Sequence, residues 1–289
     1  MTTTERPALN DVLPSIADRE QAEPETFPAA SITALYDAGV IAAPLPPELG
    51  GSGASLAEMV AAVEAIAAAS PSTALVASMP MGLAGIYGLG PGAAPEQHRA
   101  SWADQIERVA AEYRQQRIYA ACNSEKGAGG SLAATQTIAT KGPDGRFTIA
   151  GEKILASSGR YASTFFSSAK VTQEDLPGAG IVEFFLVDVN APGVNILDDW
   201  DGFGMRPTES HTVRYTDAPT REILGFPDFI NAVQPLQYWF CLFAAIPLGC
   251  AKSILQAIGT PAPQSPAQRV RLSDAVMRYE AMRAYLIQT

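Results

Sequence analysis

A polar, glycine-rich stretch at residues 123–131 is the part of the sequence best suited to chemistry. It reads NSEKGAGGS and lies between two stretches that predict β-strands. Small residues let backbone N–H groups approach a ligand that larger side chains would exclude. The stretch therefore predicts a binding loop for an anionic or planar cofactor. Its glycines do not form a dinucleotide-binding fingerprint, because a predicted strand follows them where that fingerprint requires a helix.

Cysteine and histidine residues offer no comparable second site. Cys122, Cys241 and Cys250 lie in apolar surroundings without the spacing of a metal site. They predict buried, reduced thiols and a cytoplasmic location, and no metal is expected. His98 falls on a polar helix face, which predicts a solvated side chain.

The elements that position the loop follow from a change in sequence period near residue 117. Before it, apolar residues recur at helical spacing, with a capping box from Ser55 to Glu58 and helices predicted at 30–38, 56–69 and 95–114. Residues 79–90 predict a further helix or a buried connection. From 117 to about 216 alternation predicts antiparallel strands. Beyond 229, helices are predicted at 236–258 and 267–288.

Composition limits the partners of the chain. With Lys+Arg 20 against Asp+Glu 30, the net charge of -10 disfavours nucleic acid and anionic membranes as ligands. The first 20 residues contain no apolar run typical of a signal peptide. The most apolar segment, residues 238–251, is shorter than the roughly 20 residues that cross a bilayer, so it predicts a buried helix.

Four sequence motifs, in this order, resemble the acyl-CoA dehydrogenase family of flavoproteins. They are LPPELGGSGASLAE (45–58), NSEKGAGGS (123–131), IAGEKILASSG (149–159) and GFGMRPTESHTV (202–213). The resemblance implies an N-terminal all-α domain over residues 1–114, a middle antiparallel β-barrel domain over 115–226, and an incomplete C-terminal helical domain over 227–289. That last domain is expected to be a truncated four-helix bundle.

The resemblance also implies a flavin site. In the family, the glycine-rich loop surrounds the flavin and its pyrophosphate, and a strand end forms a second wall with a hydroxyl facing the flavin N5 atom. FAD is the expected cofactor, with reduced FMN as the alternative. The residues expected to bind it are Asn123, Ser124, Gly129, Gly130, Ser131, Leu155 and Ser157.

Two departures from the family pattern concern this cofactor. The usual Thr-Glu-Pro of the loop is replaced by Ser124, Glu125 and Lys126. The aromatic residue of the second wall is replaced by Leu155, while Ser157 keeps the hydroxyl. Because the backbone donors remain, the loop is still expected to bind flavin. Ser157 acting only as the end of a strand is the competing interpretation.

A third departure concerns catalysis. Acyl-CoA dehydrogenation requires a glutamate that removes the α-proton while a hydride passes to the flavin. In most members of the family this glutamate lies late in the C-terminal helical bundle, beyond Thr289. Residues 229–251, where a minority place it, contain no charged residue, and Trp239 lies near the expected position. The catalytic residue is therefore unknown from the sequence.

Three functions remain open. The chain is a short or truncated acyl-CoA dehydrogenase, a reduced-flavin-dependent monooxygenase, or a catalytically silent subunit. In monooxygenase-like members a histidine can assist oxygen chemistry, but a structural role is the favoured interpretation of His211. Expected partners are an acyl-CoA or another small molecule and further copies of the chain in a homo-dimer or homo-tetramer. A separate partner subunit is the alternative.

Overall fold

The structure, a computed structural model, describes residues 6–128, 131–172, 180–260 and 265–288. It divides into two compact units, one formed by Met1–Gly85 and Gln237–Thr289 and the other by Ile86–Leu236. We call them the helical unit and the sheet unit. The three domains expected from the sequence, with boundaries near residues 114 and 226, stay predictions.

Helices form most of the helical unit, and the sheet unit contains further helices. In chain order the α-helices of the described residues are α1 (Leu9–Ala22), α2 (Ala29–Asp37), α3 (Leu56–Ala69), α4 (Pro71–Tyr87), α5 (Arg99–Arg114), α6 (Phe229–Val233), α7 (Leu236–Ile258) and α8 (Pro266–Gln288). The capping box that begins α3 is confirmed, since Glu58 N donates to Ser55 Oγ at 3.3 Å and Ser55 N to a Glu58 oxygen at 2.8 Å.

The bounds of α7 match those predicted, while α4 is longer than expected. The apolar, glycine-rich sequence at residues 79–90 predicts either a helix or a buried connection, and the structure has a helix that begins at Pro71. Proline suits a first helical position, where its missing N–H has no partner to lose. Gly82 lies inside α4 because the indole of Trp239 on α7 fills the space that a side chain would need.

The length of α7 corrects one expectation. The apolar run that predicts it is too short to cross a bilayer, but the helix has 23 residues and is long and apolar enough to do so by length and composition. Core helices of globular proteins can be equally long and apolar, so length and composition alone are weak evidence for a membrane span. Trp239 Nε1 of α7 donates to the Met79 carbonyl at 3.1 Å, and Gly249 lies against the α3 backbone at Glu64.

One buried carboxylate holds the last helix in the helical unit. Glu64 of α3 is 2% exposed and accepts hydrogen bonds from Tyr279 and Arg283 of α8, the latter at 2.9 Å. Lys252 of α7 lies 3.6 Å from the same carboxylate. Tyr279 is also the buried residue of α8, so this polar cluster fixes a helix that has little apolar surface in the core.

The sheet unit contains an eight-stranded sheet. Its strands are β1 (Tyr119–Ala121), β2 (Ile138–Lys141), β3 (Phe147–Ala156), β4 (Thr164–Val171), β5 (Val182–Asp188), β6 (Val194–Ile196), β7 (His211–Pro219) and β8 (Glu222–Ile223). They follow the order β6-β7-β3-β2-β4-β5-β8, and β1 pairs with β4.

The expected antiparallel β-barrel is wrong in two respects. The sheet is mixed, because β1 and β2 both run parallel to β4, although its other pairs are antiparallel. It is also a curled half-barrel, since the paired strands of the described residues end at β6 on one side and at β8 on the other. Closure requires pairing between end strands, and β6 and β8 are only three and two residues long.

The connection between β1 and β2 contains the glycine-rich loop. Tyr119–Ala121 pairs with the start of β4, and Ile138 with Ala139 pairs with its end. Both strands therefore lie along the same edge of β4 and run in the same direction. The residues between them, 122–137, leave this edge and return to it. We call this segment the β1–β2 connection.

Candidate functional site

Asn123 holds the start of the β1–β2 connection to β4. Its side-chain oxygen accepts a hydrogen bond from Ser168 N of β4 at 2.7 Å, where a neighbouring strand would otherwise supply the acceptor. This bond fixes the amide orientation, because only the oxygen can accept from N–H. The Asn123 amide nitrogen, with its two donors, therefore lies on the side of the group that does not contact Ser168 N.

A buried ion pair joins the same connection to β3. Lys153 Nζ of β3 is 2.6 Å from Glu125 Oε1, and both side chains are almost fully buried. The Glu125 carboxylate also accepts from Gln136 N at 2.6 Å and from Thr137 N at 3.0 Å. The two ends of the connection are thus joined through one carboxylate and held to β3.

Hydrogen bonding outweighs burial in setting the charge of Glu125. Burial alone would raise the pKa of this carboxyl, but bonds from Lys153, Thr137 and the backbone N–H groups lower it below its usual value. Burial lowers the pKa of Lys153, and the attraction of Glu125 opposes that change. A carboxyl whose pKa is lowered in the folded chain stabilises the fold at pH values above its ordinary pKa. This contribution is lost as the pH falls through the folded-state pKa.

A bulge near the end of β3 places Leu155 at the surface. The pairing of β3 with β7 shifts register between Lys153 and Ala156, and Ser157 N donates back to the Leu155 carbonyl at 3.0 Å. Leu155 has a φ of 58°, which is unfavourable for a residue with a side chain. Its side chain is 51% exposed. Strain and exposure of an apolar residue together indicate a binding surface.

Leu155→Gly tests whether this strain serves binding. Glycine adopts a positive φ without strain, and the exposed side chain contributes little to packing, so the free energy of unfolding should stay unchanged or rise by about 1 kcal/mol. Urea unfolding measures this. Binding of FAD or FMN should weaken because the apolar wall is lost. A substitution that lowers stability and leaves flavin affinity unchanged would contradict a binding role for Leu155.

Ser157 begins a row of buried hydroxyl groups. Its Oγ lies 2.8 Å from Ser210 Oγ, which lies 2.6 Å from Thr208 Oγ1. Thr208 Oγ1 donates to the Met205 carbonyl at 2.8 Å. The adjacent Ser158, with a φ of 76°, donates its N–H to the Thr208 carbonyl at 2.7 Å. The end of β3 is therefore held firmly against the segment before β7.

The structure brings four of the predicted residues together. Ile154 N donates to the Ser124 carbonyl at 2.8 Å, so the start of the connection lies beside the end of β3. This contact gathers Asn123, Ser124, Leu155 and Ser157. Ser131 is exposed, and no contact with these four residues is described. The predicted residues Gly129 and Gly130 lie outside the described residues.

The favoured interpretation of His211 agrees with its contacts. Its Nδ1 accepts from the backbone N–H groups of Asp199 and Trp200, at 3.1 and 3.0 Å. The proton must therefore be on Nε2, which lies 2.9 Å from a Glu209 oxygen. Nδ1 therefore holds residues 199 and 200 to β7, while Nε2 contacts Glu209, and both contacts are structural.

The region where some family members place the base offers none here. Residues 229–251, which include α6 and most of α7, contain no charged residue. Trp239, near the expected position, is 3% exposed and packs in the helical unit. Among the described residues, no group of three or more His, Cys, Asp or Glu could hold a metal ion.

Sequence reasoning missed the residues that support this site. Lys153 carries a signal, because it occupies an inward position in the alternation of β3, where lysine requires a partner. Glu125 had no such signal, since its loop surroundings gave no inward or outward pattern. Ser210 and Thr208 were seen only as members of a motif, and nothing in their spacing indicated hydroxyl contacts with Ser157.

The residues present fit a flavin. Leu155 offers an apolar surface for a planar ring, and the amide nitrogen of Asn123 offers hydrogen-bond donors. Ser158 Oγ is buried and has no hydrogen-bond partner among the described residues, as expected of a polar site completed by another group. A flavin combines an apolar ring with polar edges and phosphates, which matches this mixture of groups.

Family models match two parts of the chain. The acyl-CoA dehydrogenase N-terminal domain matches residues 2–108, and the middle domain of the same family matches residues 120–218. Among relatives, probable acyl-CoA dehydrogenase YngJ of Bacillus subtilis is 25% identical over 91% of this chain and 70% of its own length. L-Evernosamine nitrososynthase of Micromonospora is 30% identical over 74% of this chain and 49% of its own length.

The chain spans about half the length of the nitrososynthase and of several other relatives. Two solved structures share its fold. Butyryl-CoA dehydrogenase from Megasphaera elsdenii superposes with a TM-score of 0.81 at 21% identity, covering 100% of this chain and 80% of its own. TdsC from Paenibacillus, in complex with FMN and indole, gives 0.78 at 21% identity, covering 97% and 74%. Because the two models together match more than half of it, the chain belongs to the acyl-CoA dehydrogenase family.

Proposed function

We propose that this chain forms the flavin-binding part of an oxidoreductase that uses FAD, or FMN as the alternative. The observation that carries the proposal is that the β1–β2 connection, held by Asn123 and Glu125, meets the end of β3, where Leu155 has a positive φ. Asn123 and Ser124 would hold the polar edge of the flavin, Leu155 would support its ring, and Ser157 would contact N5. Bound flavin supplies hydride transfer or oxygen activation, neither of which protein side chains provide.

Two reactions are candidates for such a site. One is α,β-dehydrogenation of an acyl-CoA thioester, which the similarity to acyl-CoA dehydrogenases supports. The other is reduced-flavin-dependent monooxygenation, supported by similarity to the nitrososynthase and to TdsC, named as a dibenzothiophene monooxygenase.

Anaerobic absorbance spectroscopy separates these reactions. If the chain is a dehydrogenase, adding butyryl-CoA to the flavin-loaded protein should bleach the flavin band without another reductant. If it is a monooxygenase, the band should persist with butyryl-CoA. In a separate assay under air, in which O2 is present and a flavin reductase supplies reduced FMN, indole should be oxygenated. Flavin binding with neither activity would favour a silent subunit.

Ser157→Ala tests the proposed N5 contact. Removing one hydrogen bond to the ligand should weaken flavin binding about tenfold, while the fold is retained. Isothermal titration with FMN and FAD measures the change. Ser167→Ala is the matched control, because Ser167 is also a buried serine of the sheet but bonds to the Cys122 carbonyl and Tyr215. Equal affinities for both variants and the unaltered chain would remove Ser157 from the site.

The last two helices support association with a second copy. Their exposed faces carry large apolar side chains, which are Phe240, Ile254, Ile258, Val270 and Met277. Exposed apolar surface of this extent commonly marks an interface. We expect a homo-dimer or homo-tetramer, which light scattering of the purified protein measures, with a separate partner subunit as the alternative.

A further inference from the structure

A cleft in the helical unit lies where α1 ends and α2 begins. Its volume is about 200 Å³, and it is lined by the last turn of α1, the turn at residues 22–28, the first turn of α2 and Thr73 of α4. Liquid water occupies about 30 Å³ per molecule, so the cleft has room for a ligand of several non-hydrogen atoms. We call it the α1–α2 cleft.

Arg19 supplies the positive charge of the α1–α2 cleft. Its Nε donates to Ser31 Oγ of α2 at 2.9 Å, and its Nη2 donates to Ser15 Oγ at 3.2 Å. These bonds fix the plane of the guanidinium and use two of its five donors. In the described part of the chain both of its hydrogen-bond partners are hydroxyl groups, so no carboxylate is bonded to this charge.

Two carboxylates line the same cleft. Glu20 accepts a hydrogen bond from the hydroxyl of Ser70, a fully buried residue that immediately precedes α4. Glu23 is exposed and follows the last residue of α1. Because Arg19 reaches towards α2 and Glu20 towards the start of α4, the opposite charges stand on different walls of the cleft.

The two helix ends have the same polarity as these side chains. No side chain caps the start of α2, so its first N–H groups carry partial positive charge. The last carbonyl groups of α1 carry partial negative charge at the same cleft. The α1–α2 cleft therefore has a positive side, formed by Arg19 and the start of α2, and a negative side, formed by Glu20, Glu23 and the end of α1.

We propose that the α1–α2 cleft binds a small zwitterion, an α-amino acid with an apolar side chain. Its carboxylate bonds to Arg19 and to the N–H groups at the start of α2, and its ammonium lies against Glu20 and Glu23. Its side chain contacts Phe27, which lines the cleft. An anion alone would face the two carboxylates, and a cation alone would face the guanidinium. The inference concerns the helical unit and does not rest on flavin binding.

Three ligands of nearly equal shape test the two charges separately. They are L-leucine, 4-methylpentanoate, which lacks the ammonium, and 3-methylbutylamine, which lacks the carboxylate. Isothermal titration of the full chain measures their dissociation constants. We expect L-leucine to bind at least about tenfold more tightly than either analogue, because each analogue loses one charge-assisted contact.

Two substitutions should divide this effect between the walls. Arg19→Gln should weaken L-leucine and 4-methylpentanoate about tenfold and leave 3-methylbutylamine unchanged. Glu23→Gln should weaken L-leucine and 3-methylbutylamine but not 4-methylpentanoate, and because Glu23 is exposed the fold is retained. Arg278→Gln is the matched control, since Arg278 is an exposed arginine of α8 paired with Asp274 at 2.9 Å.

The remaining outcomes overturn the proposal. If 4-methylpentanoate binds as tightly as L-leucine, the cleft recognises a carboxylate only and the zwitterion is wrong. If none of the three ligands binds at about 10 mM, or if both cleft variants bind L-leucine like the control, the cleft is not a binding site. Flavin binding is measured separately with FMN and FAD, so its failure would not be mistaken for either result.

Discussion

Lys153→Met should lower the free energy of unfolding by about 3–5 kcal/mol, because removing one member of a buried ion pair leaves the other charge uncompensated. The substitution keeps the length of the side chain but removes the ammonium group 2.6 Å from Glu125. Glu125 keeps its bonds from Gln136 and Thr137, so its position is retained. The destabilisation comes from a buried negative charge that no longer has the opposite charge beside it. Urea unfolding followed by circular dichroism measures the loss.

The neighbouring residue supplies a matched control. Glu152 precedes Lys153 on β3 and points to the opposite face, where Arg214 of β7 contacts it at 2.9 Å. Both of these side chains are about half exposed. Arg214→Met should therefore change the free energy of unfolding by about 1 kcal/mol or less. Equal losses for the two variants would show that the buried Lys153–Glu125 pair contributes no more to stability than the exposed Arg214–Glu152 pair.

Glu183→Gln should raise the free energy of unfolding by about 3 kcal/mol at pH 8.5 and leave it unchanged near pH 4.5. Glu183 of β5 is 1% exposed, and one of its oxygens has no partner among the described residues. Burial, with the nearby Asp228 charge, raises the pKa of this carboxyl from 4.5 to about 7, although the Asp228 N–H bond at 2.6 Å opposes the change.

The sign follows from proton binding. Between pH 4.5 and 7 the folded chain holds a proton on Glu183 that the unfolded chain has released. The stabilisation is therefore complete at pH 4.5 and is lost as the pH rises through about 7. Glutamine stays neutral throughout and removes this dependence. Urea unfolding of both chains at pH 4.5 and pH 8.5 measures the free energy of unfolding. If the variant has the same pH dependence as the unaltered chain, Glu183 is ionised in the folded chain.

The sequence predicted the helices well because their signals are local. The Ser55 capping box and the bounds of α7 depend on residues that are close in the chain. The sheet was harder to predict, since parallel pairing of β1 and β2 with β4 joins residues more than 30 positions apart. Alternation specifies which face a residue occupies, but it does not specify strand direction or closure.

The site was predicted only in part for the same reason. The motifs identified Asn123, Ser124, Leu155 and Ser157, but the contacts that orient them come from distant positions. Lys153 reaches Glu125, and Ser210 reaches Ser157 across 53 residues. The contact between Ser157 and Ser210 depends on the register of β3 with β7, which a bulge near Leu155 changes. No spacing rule predicts that shift.

The central claim is that flavin binds between the β1–β2 connection and the end of β3. Hydrogen–deuterium exchange with mass spectrometry, with and without saturating FAD or FMN, tests it most directly. Residues 122–137 and 154–159 should exchange more slowly when flavin is present, with little change in α8. Flavin that binds without protecting either segment, or that protects only the helical unit, would contradict it.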